Sequence, residues 1–488
     1  MQEIIGRKKE IIFLKNIIAA KQAEFVAFYG RRRIGKTFLI QNCCSKADVY
    51  FEITGIKDGH LKDQLHNFIR KFESVFYPSI PFSLKTPATW NDAFRLLTDH
   101  IKKIQKSKKI ILFFDELPWL SSRKSSFMQN LDYFWNTEWS HLSNLKLIVC
   151  GSAASWMLNN LINAKGGLHN RLTKSLLLKP FTLSETKLFL KHKGFALSHA
   201  HVLEIYMVMG GVPYYLNALD PSKSVVQNIN DMCFQEDGLL YNEFTRLFQS
   251  LFDASHVNLL IVKEMAKVRY GISLAQLAEK IDKKVGGRFH ERLEELESTG
   301  FIQKFIPYGR SKRDSFYKVI DEYSLFYLKW IQELNDGVRV TNKENYYNHM
   351  MNSASWHAWS GYSFENICYK HIDRIMKALD LSHVPCRLSH WKYQPNPLDI
   401  KDSGAEIDLL IDRGDNAVTL CEIKYTMKPF VVDKSFAKNI MQKTDVFQVQ
   451  TKIKKQVFTA LISASGVAKS AWTDEIIQKI VTLDDLFE

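Results

Sequence analysis

Gly30-Arg31-Arg32-Arg33-Ile34-Gly35-Lys36-Thr37 spells G-x-x-x-x-G-K-T, set between Phe25-Val26-Ala27-Phe28-Tyr29 and Phe38-Leu39-Ile40. The order is strand, glycine-bounded loop, helix start. In that context backbone N–H groups and a helix N-terminus converge on phosphate oxygens. Lys36 is placed to reach β- and γ-phosphates, and Thr37 to bind Mg²⁺. The nucleotide-binding set is therefore Gly30, Arg31, Arg32, Arg33, Ile34, Gly35, Lys36, Thr37 and Phe38. The bland alternative, a glycine turn beside a basic run, leaves the matching strand and helix unexplained.

Lys109-Ile110-Ile111-Leu112-Phe113-Phe114-Asp115-Glu116 is an apolar run ending in two acids. It reads as a buried parallel strand, and ligands of such sheets bind at the carboxyl ends of the strands. Asp115 would hold the water shell of Mg²⁺ and Glu116 would polarise an attacking water. A further strand, Leu145-Lys146-Leu147-Ile148-Val149-Cys150, leads to Gly151-Ser152. Ser152 is a candidate for contact with the γ-phosphate or the attacking water; a helix N-cap for residues 153–158 is the other reading. Arg171, ahead of Ser175-Leu176-Leu177-Leu178, would neutralise γ-phosphate charge in cis or across a subunit contact, unless it is simply a surface arginine.

A second constellation lies near the C-terminus. Ala405-Glu406-Ile407-Asp408-Leu409-Leu410-Ile411 and Val418-Thr419-Leu420-Cys421-Glu422-Ile423-Lys424 read as strands of one hairpin. With residues 414–416 as its loop, Asp408 stands opposite Glu422, with Cβ atoms ~5 Å apart. Lys424 shares their face. Two carboxylates that close repel unless a cation separates them, and Mg²⁺ or Mn²⁺ suits oxygen donors. Lys424 would then activate a metal-bound water or neutralise a phosphorane. The alternative is a solvent-facing hairpin with Glu422 or Glu406 paired to Lys424.

The elements that must position these groups follow from the pattern. Strands and helices alternate up to about Pro180, which predicts a parallel sheet covered by helices on both faces. Residues 181–250 carry apolar residues at helical spacing and read as a lid. Residues 251–335 read as three helices and a hairpin with a basic tip, Arg310-Ser311-Lys312-Arg313, a winged helix-turn-helix pattern. Lys283, Lys284, Arg288, His290 and Arg292 are its candidates for DNA contact. Residues 350–488 form the last domain. The expected class is α/β: a parallel sheet of P-loop type with a helical lid, a winged helix-turn-helix and a C-terminal α/β domain.

The chain of 488 residues is too long for one core. Its formal charge of +14 points to a polyanionic partner, DNA being the first choice and a protein the second. Seven scattered cysteines, with no C-x-x-C pair, suggest neither a disulfide framework nor a zinc site. Cys150 and Cys421 read as core. With no secretory h-region and no apolar run near ~18–20 residues, the expectation is a cytoplasmic protein with no membrane partner.

Taken together, Ile5-Gly6-Arg7-Lys8-Lys9-Glu10, the phosphate loop, Asp115-Glu116-Leu117-Pro118-Trp119, Gly151-Ser152 and Gly210-Gly211-Val212-Pro213-Tyr214-Tyr215-Leu216 resemble the archaeal and bacterial STAND-type ATPases of the AAA-like P-loop class. The resemblance implies ATP as ligand, with Gly6 and Arg7 near the adenine and Pro213 closing over the base. The hairpin resembles the PD-(D/E)xK nuclease family, with Glu406-Ile407-Asp408 where that family has Pro-Asp. It implies that Glu365, in Gly361-Tyr362-Ser363-Phe364-Glu365 at a helix start, is an additional metal-binding acid. The expected function is an ATP-hydrolysing, DNA-associated protein with a Mg²⁺-dependent nuclease-like domain. A non-cleaving switch or scaffold is the alternative.

Overall fold

The computed structural model describes residues 3–79, 84–122, 125–162, 171–252, 255–282, 285–311, 313–335, 346–395 and 403–488. Lys283, Lys284 and Lys312 therefore lie outside the described residues, as does the stretch 166–170 ahead of Arg171. The chain divides into two compact units. One is Met1–Pro180 with Ser250–Asp253 and Glu294–Gly300, and the other holds the remainder.

The first unit is built on strands β1 (Glu24–Tyr29), β2 (Val49–Thr54), β3 (Ile110–Asp115), β4 (Leu145–Gly151) and β5 (Lys174–Leu177). All pair in parallel, in the order β2-β3-β4-β1-β5. Alternate residues serve opposite faces. Phe25, Ala27, Leu112, Phe114, Leu147 and Val149 join one buried cluster with helices Leu61–Phe76, Trp90–Ile101 and Phe127–Thr137. Val26, Phe28, Ile111, Phe113, Ile148 and Cys150 join the other, with helices Lys8–Ala19 and Lys36–Cys44. Burial on both faces is why β3 and β4 read as unbroken apolar runs. β2 escapes that pattern because Tyr50, Glu52 and Thr54 interrupt it. Glu52 takes hydrogen bonds from Tyr50 (3.0 Å) and Gln41 (2.7 Å).

The second unit begins with the helices expected of a lid, among them Leu183–His192, His199–Met209, Pro213–Asn217 and Val225–Phe234. The Gly-Gly-Val-Pro step has a packing cause. A Cβ on Gly211 would stand 1.9 Å from the carbonyl oxygen of Phe181. Pro213 opens its helix at the first turn, where the missing N–H costs nothing. Helices Ser255–Ala266 and Leu274–Lys280 follow, then helix Gly287–Ser298, whose residues from Glu294 onward group with the first unit, and strands β6 (Ile272–Ser273), β7 (Ile302–Phe305) and β8 (Phe316–Val319) in an antiparallel sheet ordered β6-β8-β7. Ser273 and Gln276 form a capping box at the second helix.

The last part of this unit runs helix Ala354–Lys370, β9 (Cys386–Tyr393), β10 (Ala405–Arg413), β11 (Ala417–Lys424), β12 (Phe430–Val431), helix Lys434–Thr451, β13 (Gln456–Ser463), β14 (Val467–Ala468) and β15 (Lys479–Thr482). The sheet order is β15-β13-β11-β10-β9; β9, β10 and β11 are antiparallel, and β11, β13 and β15 parallel. One expectation is corrected here. Gly361 does not open the helix carrying Glu365. Ser353 caps that helix eight residues earlier, its hydroxyl accepting from the Trp356 N–H. Gly361 sits mid-helix, where a Cβ would meet open space.

Candidate functional site

The phosphate loop leaves the carboxyl end of β1 and enters the helix at Lys36. Gly30 has φ 140°, and a Cβ there would lie 2.3 Å from the Leu178 carbonyl oxygen. Gly35 is left-handed at φ 86° and ends the loop. Arg33 is also left-handed, at φ 71°, which costs ~1 kcal/mol or more for a residue with a Cβ. Arg7, left-handed at the start of its helix, sends its guanidinium to the Ile34 carbonyl at 3.1 Å. Arg32 lies over the Trp119 ring, 6.0 Å from its centroid. Phe38 is partly exposed.

Lys36 is buried, and its Nζ donates to the carbonyls of Gly30 and Arg31, both at 2.9 Å. The amine is thus held over the loop that its role requires. Thr37 donates its hydroxyl to Asp115 Oδ2 at 2.9 Å. Burial, then the neighbouring Glu116, push the Asp115 carboxyl above its ordinary value, against the hydrogen bonds from Thr37 and Cys150. Glu116 is left-handed, with φ 48° and ψ 53°. Its Oε2 accepts from the Ser152 N–H at 3.1 Å and from the Ser152 hydroxyl at 2.9 Å.

Ser152 is therefore not the helix cap. The helix Ala154–Met157 takes Ala153 as its N-cap, with no side-chain bond. The oxygens of Thr37 and Asp115, side by side beneath a glycine-bounded loop, fit Mg²⁺ and a triphosphate.

Arg171 is placed elsewhere. Val26 pairs with Lys174 and the Thr173 N–H reaches the Phe25 carbonyl, so Arg171 precedes the start of β5. The phosphate loop leaves the opposite end of the sheet. At ~3.3 Å per residue the separation is roughly 20 Å. A γ-phosphate contact from Arg171 within one chain is corrected on this ground.

In the C-terminal hairpin, pairs Leu409↔Cys421 through Asp412↔Val418 set the register, and the next step outward brings Asp408 across from Glu422. The Asp408 side chain accepts from the Ile423 N–H at 2.8 Å. On its other edge the β9 pairing shifts between Ile407 and Leu410, a bulge of the kind that re-aims a side chain. Tyr369 donates to the Asp408 carbonyl at 2.8 Å. Burial pushes the Asp408 carboxyl up to about 7, helped by Glu422 and Glu365.

Glu422 is held by two cations, Lys424 at 2.7 Å and Lys443 at 2.7 Å. Burial lowers the Lys424 amine, but Glu422, Asp408 and Glu365 outweigh it and its pKa rises. Glu365 is paired with Arg269, and burial raises its pKa. Glu406 pairs with Lys392 at 2.9 Å rather than with Lys424.

The expected set of Glu365, Asp408 and Glu422 is thus not drawn together as one metal cage. Among the described residues no group of three or more His, Cys, Asp or Glu side chains is arranged to hold a metal ion. The physical reason is competition, since Glu365 and Glu422 already have basic partners. Asp408 with Glu422 remains a pair of oxygen donors whose mutual repulsion a divalent cation would relieve.

Lys443, Arg269 and Lys318 were not foreseen. Lys443 falls between buried Ile440 and Phe447 on the helix Lys434–Thr451, a charge in the apolar register, which is a readable signal. Lys318 is buried on β8, 4.1 Å from the Tyr369 ring centroid, and burial lowers its pKa to about 8. Cys150 and Cys421 are buried, as expected. Among the described residues no helix is long and apolar enough to cross a membrane.

Residues 4–219 match the family described as an ATPase domain predominantly from Archaea. MJECL04, an uncharacterized protein of Methanocaldococcus jannaschii, is 23% identical over 437 residues, 86% of this chain and 87% of its own length. Solved structures with a similar fold include the following two. The walker-type ATPase PABY2304 of Pyrococcus abyssi has a TM-score of 0.48 and 19% identity, covering 67% of this chain and 96% of its own. The ORC2 protein of Aeropyrum pernix has a TM-score of 0.42 and 14% identity, covering 69% and 96%. The N-terminal part of the chain is an ATPase domain on a parallel α/β sheet.

Proposed function

We propose that the chain hydrolyses ATP with Mg²⁺ in its N-terminal domain, and that this cycle governs a metal-dependent C-terminal domain of PD-(D/E)xK type acting on DNA. The observation that carries the reading is the 2.9 Å contact between Thr37 and Asp115 beneath the phosphate loop. Bound Mg²⁺ would supply charge neutralisation at the β- and γ-phosphate oxygens.

The residues of the chain do the positioning. Lys36 exchanges its bonds to Gly30 and Arg31 for phosphate oxygens. Asp115 and Thr37 would hold the metal and its water shell. Glu116, with one oxygen fixed by Ser152, turns the other towards the attacking water and orients it. Gly6 and Arg7 would border the adenine.

For the C-terminal domain the support is the hairpin register and the strand order around it. Asp408 and Glu422 would hold the metal, and Lys424 would stabilise the charge that develops on the phosphorus oxygens. The segment with β6, β7 and β8 fits a winged helix serving as a packing module. Its helix Gly287–Ser298 carries Glu291, Glu294, Glu295 and Glu297 beside Arg288 and Arg292, a poor surface for phosphate.

A second reading is a non-cleaving, nucleotide-controlled switch or scaffold that binds DNA or protein. It is favoured by the basic partners already seated on Glu365 and Glu422. One experiment separates the two: nicking of plasmid DNA in Mg²⁺ and in Mn²⁺, with ATPase activity measured in the same samples. The absence of metal-dependent nicking from an active ATPase would leave the switch.

A further inference from the structure

The second unit contains a cavity of about 720 Å³ between the helix Ser255–Ala266, the helical stretch 322–335 and the helix Ala354–Lys370. That volume is ligand-sized. Lys263, Lys267, Arg269 and Lys329 line it, against two acids, Glu264 and Glu333, with Trp359 and Tyr362 as aromatic wall. Lys267 is neutralised by Glu264 at 2.6 Å. Among the described residues Lys263 and Lys329 pair with no carboxylate.

Arg269 belongs to this cavity and to the acidic centre at once. Its guanidinium lies 5.4 Å from the Tyr270 ring and 5.7 Å from the Tyr362 ring, and it bonds Glu365. On Tyr270 the track continues: Lys392 stands 3.8 Å from that ring and reaches Glu406, two residues from Asp408. Tyr270 itself is 45% exposed. Separated cations flanking an accessible aromatic ring match a strand of phosphates and unstacked bases. An acidic peptide would satisfy the lysines but has no planar bases to lay on Tyr270.

We propose that this cavity and the track through Arg269 and Lys392 bind single-stranded nucleic acid and lead it to the Asp408–Glu422 hairpin. The proposal deepens the nuclease-like reading and rests on it for the direction of the strand. As the strand seats, Arg269 trades Glu365 for a phosphate and leaves that carboxylate available.

The test is fluorescence anisotropy of an end-labelled single-stranded oligonucleotide with the full-length protein, in EDTA and without nucleotide. The double variant Lys263→Gln/Lys329→Gln should bind at least tenfold more weakly. Its slope of log K against log salt should fall by about 1.4, two phosphate contacts on single strands. Tyr270→Ala, a milder change at an exposed ring, should weaken binding at least threefold. Thermal melting checks that each variant is folded.

Parent-like affinity and slope in both would overturn the proposal, as would a polyglutamate peptide that competes as well as unlabelled oligonucleotide. Weakened binding in both variants together with no nicking by the parent in Mg²⁺ or Mn²⁺ would keep the strand site and remove the nuclease reading. Nicking by the parent that persists undiminished in both variants would overturn the strand site alone.

Discussion

Ser152 holds one oxygen of the Glu116 carboxylate with two donors, its amide N–H at 3.1 Å and its hydroxyl at 2.9 Å. The two residues stand at the carboxyl ends of adjacent strands, β3 and β4. Glu116→Gln should keep ATP affinity and lower kcat by 100-fold or more. Ser152→Ala keeps the amide donor and loses the hydroxyl, so kcat should fall about tenfold with KM unchanged, the value of one hydrogen bond to a charged group. Steady-state ATPase kinetics decide it, and a parent-like kcat for Glu116→Gln would remove Glu116 from the chemistry.

Thr37→Ala removes the hydroxyl that meets Asp115. The Mg²⁺ concentration giving half-maximal ATPase activity should rise about tenfold, while nucleotide affinity in EDTA stays near that of the parent. A magnesium titration at saturating ATP reads both. An unshifted midpoint would mean that Thr37 only ties the loop to β3.

In the hairpin, Asp408→Ala and Lys424→Ala should each abolish metal-dependent nicking and leave ATPase activity in place. Lys443→Ala should act differently. With one cation removed from Glu422, Mn²⁺ should bind more tightly, by severalfold in calorimetry. Equal Mn²⁺ affinity in parent and Lys443→Ala would show that this lysine does not compete with metal.

His371 gives the second unit a pH dependence. Its Nε2 accepts from the Leu183 N–H at 3.0 Å and its Nδ1 faces the Ile367 carbonyl at 2.9 Å, so the ring is neutral in the fold. Burial, with Lys370 and Arg374 adding to it, lowers its pKa to about 4. The unfolded chain protonates near pH 6.5. The stabilisation is therefore complete above that value and is lost as pH falls towards 4, by about 2 kcal/mol between pH 7 and pH 5. Urea midpoints should fall accordingly in the parent and less in His371→Gln, which keeps no titrating ring. Half-buried His390 is displaced in the same direction, by desolvation and then by Lys318, and supplies a residual slope.

The phosphate loop, the acids after β3 and the hairpin register were legible because each is local. A glycine spacing, an apolar run and a count outward from a turn need no tertiary knowledge. β2 was hidden because its polar residues answer to neighbours, Glu52 to Gln41 and Tyr50. The cap at Ser353 was missed for Gly361, since the sequence does not say that this helix tolerates a glycine facing open space. Arg269 and Lys392 could not be read at all. Their partners Glu365 and Glu406 are distant in the chain, and the fold alone brings them together.

Arg171, stranded at the far margin of the five-stranded sheet, carries a consequence for stoichiometry. If that guanidinium serves hydrolysis, it serves a neighbour's triphosphate. Two crippled preparations, Lys36→Ala and Arg171→Ala, should then regain turnover when mixed, because the intact loop of one borrows the arginine of the other. Undiminished turnover by Arg171→Ala alone would make Arg171 ornamental to the cycle and each copy a self-sufficient engine.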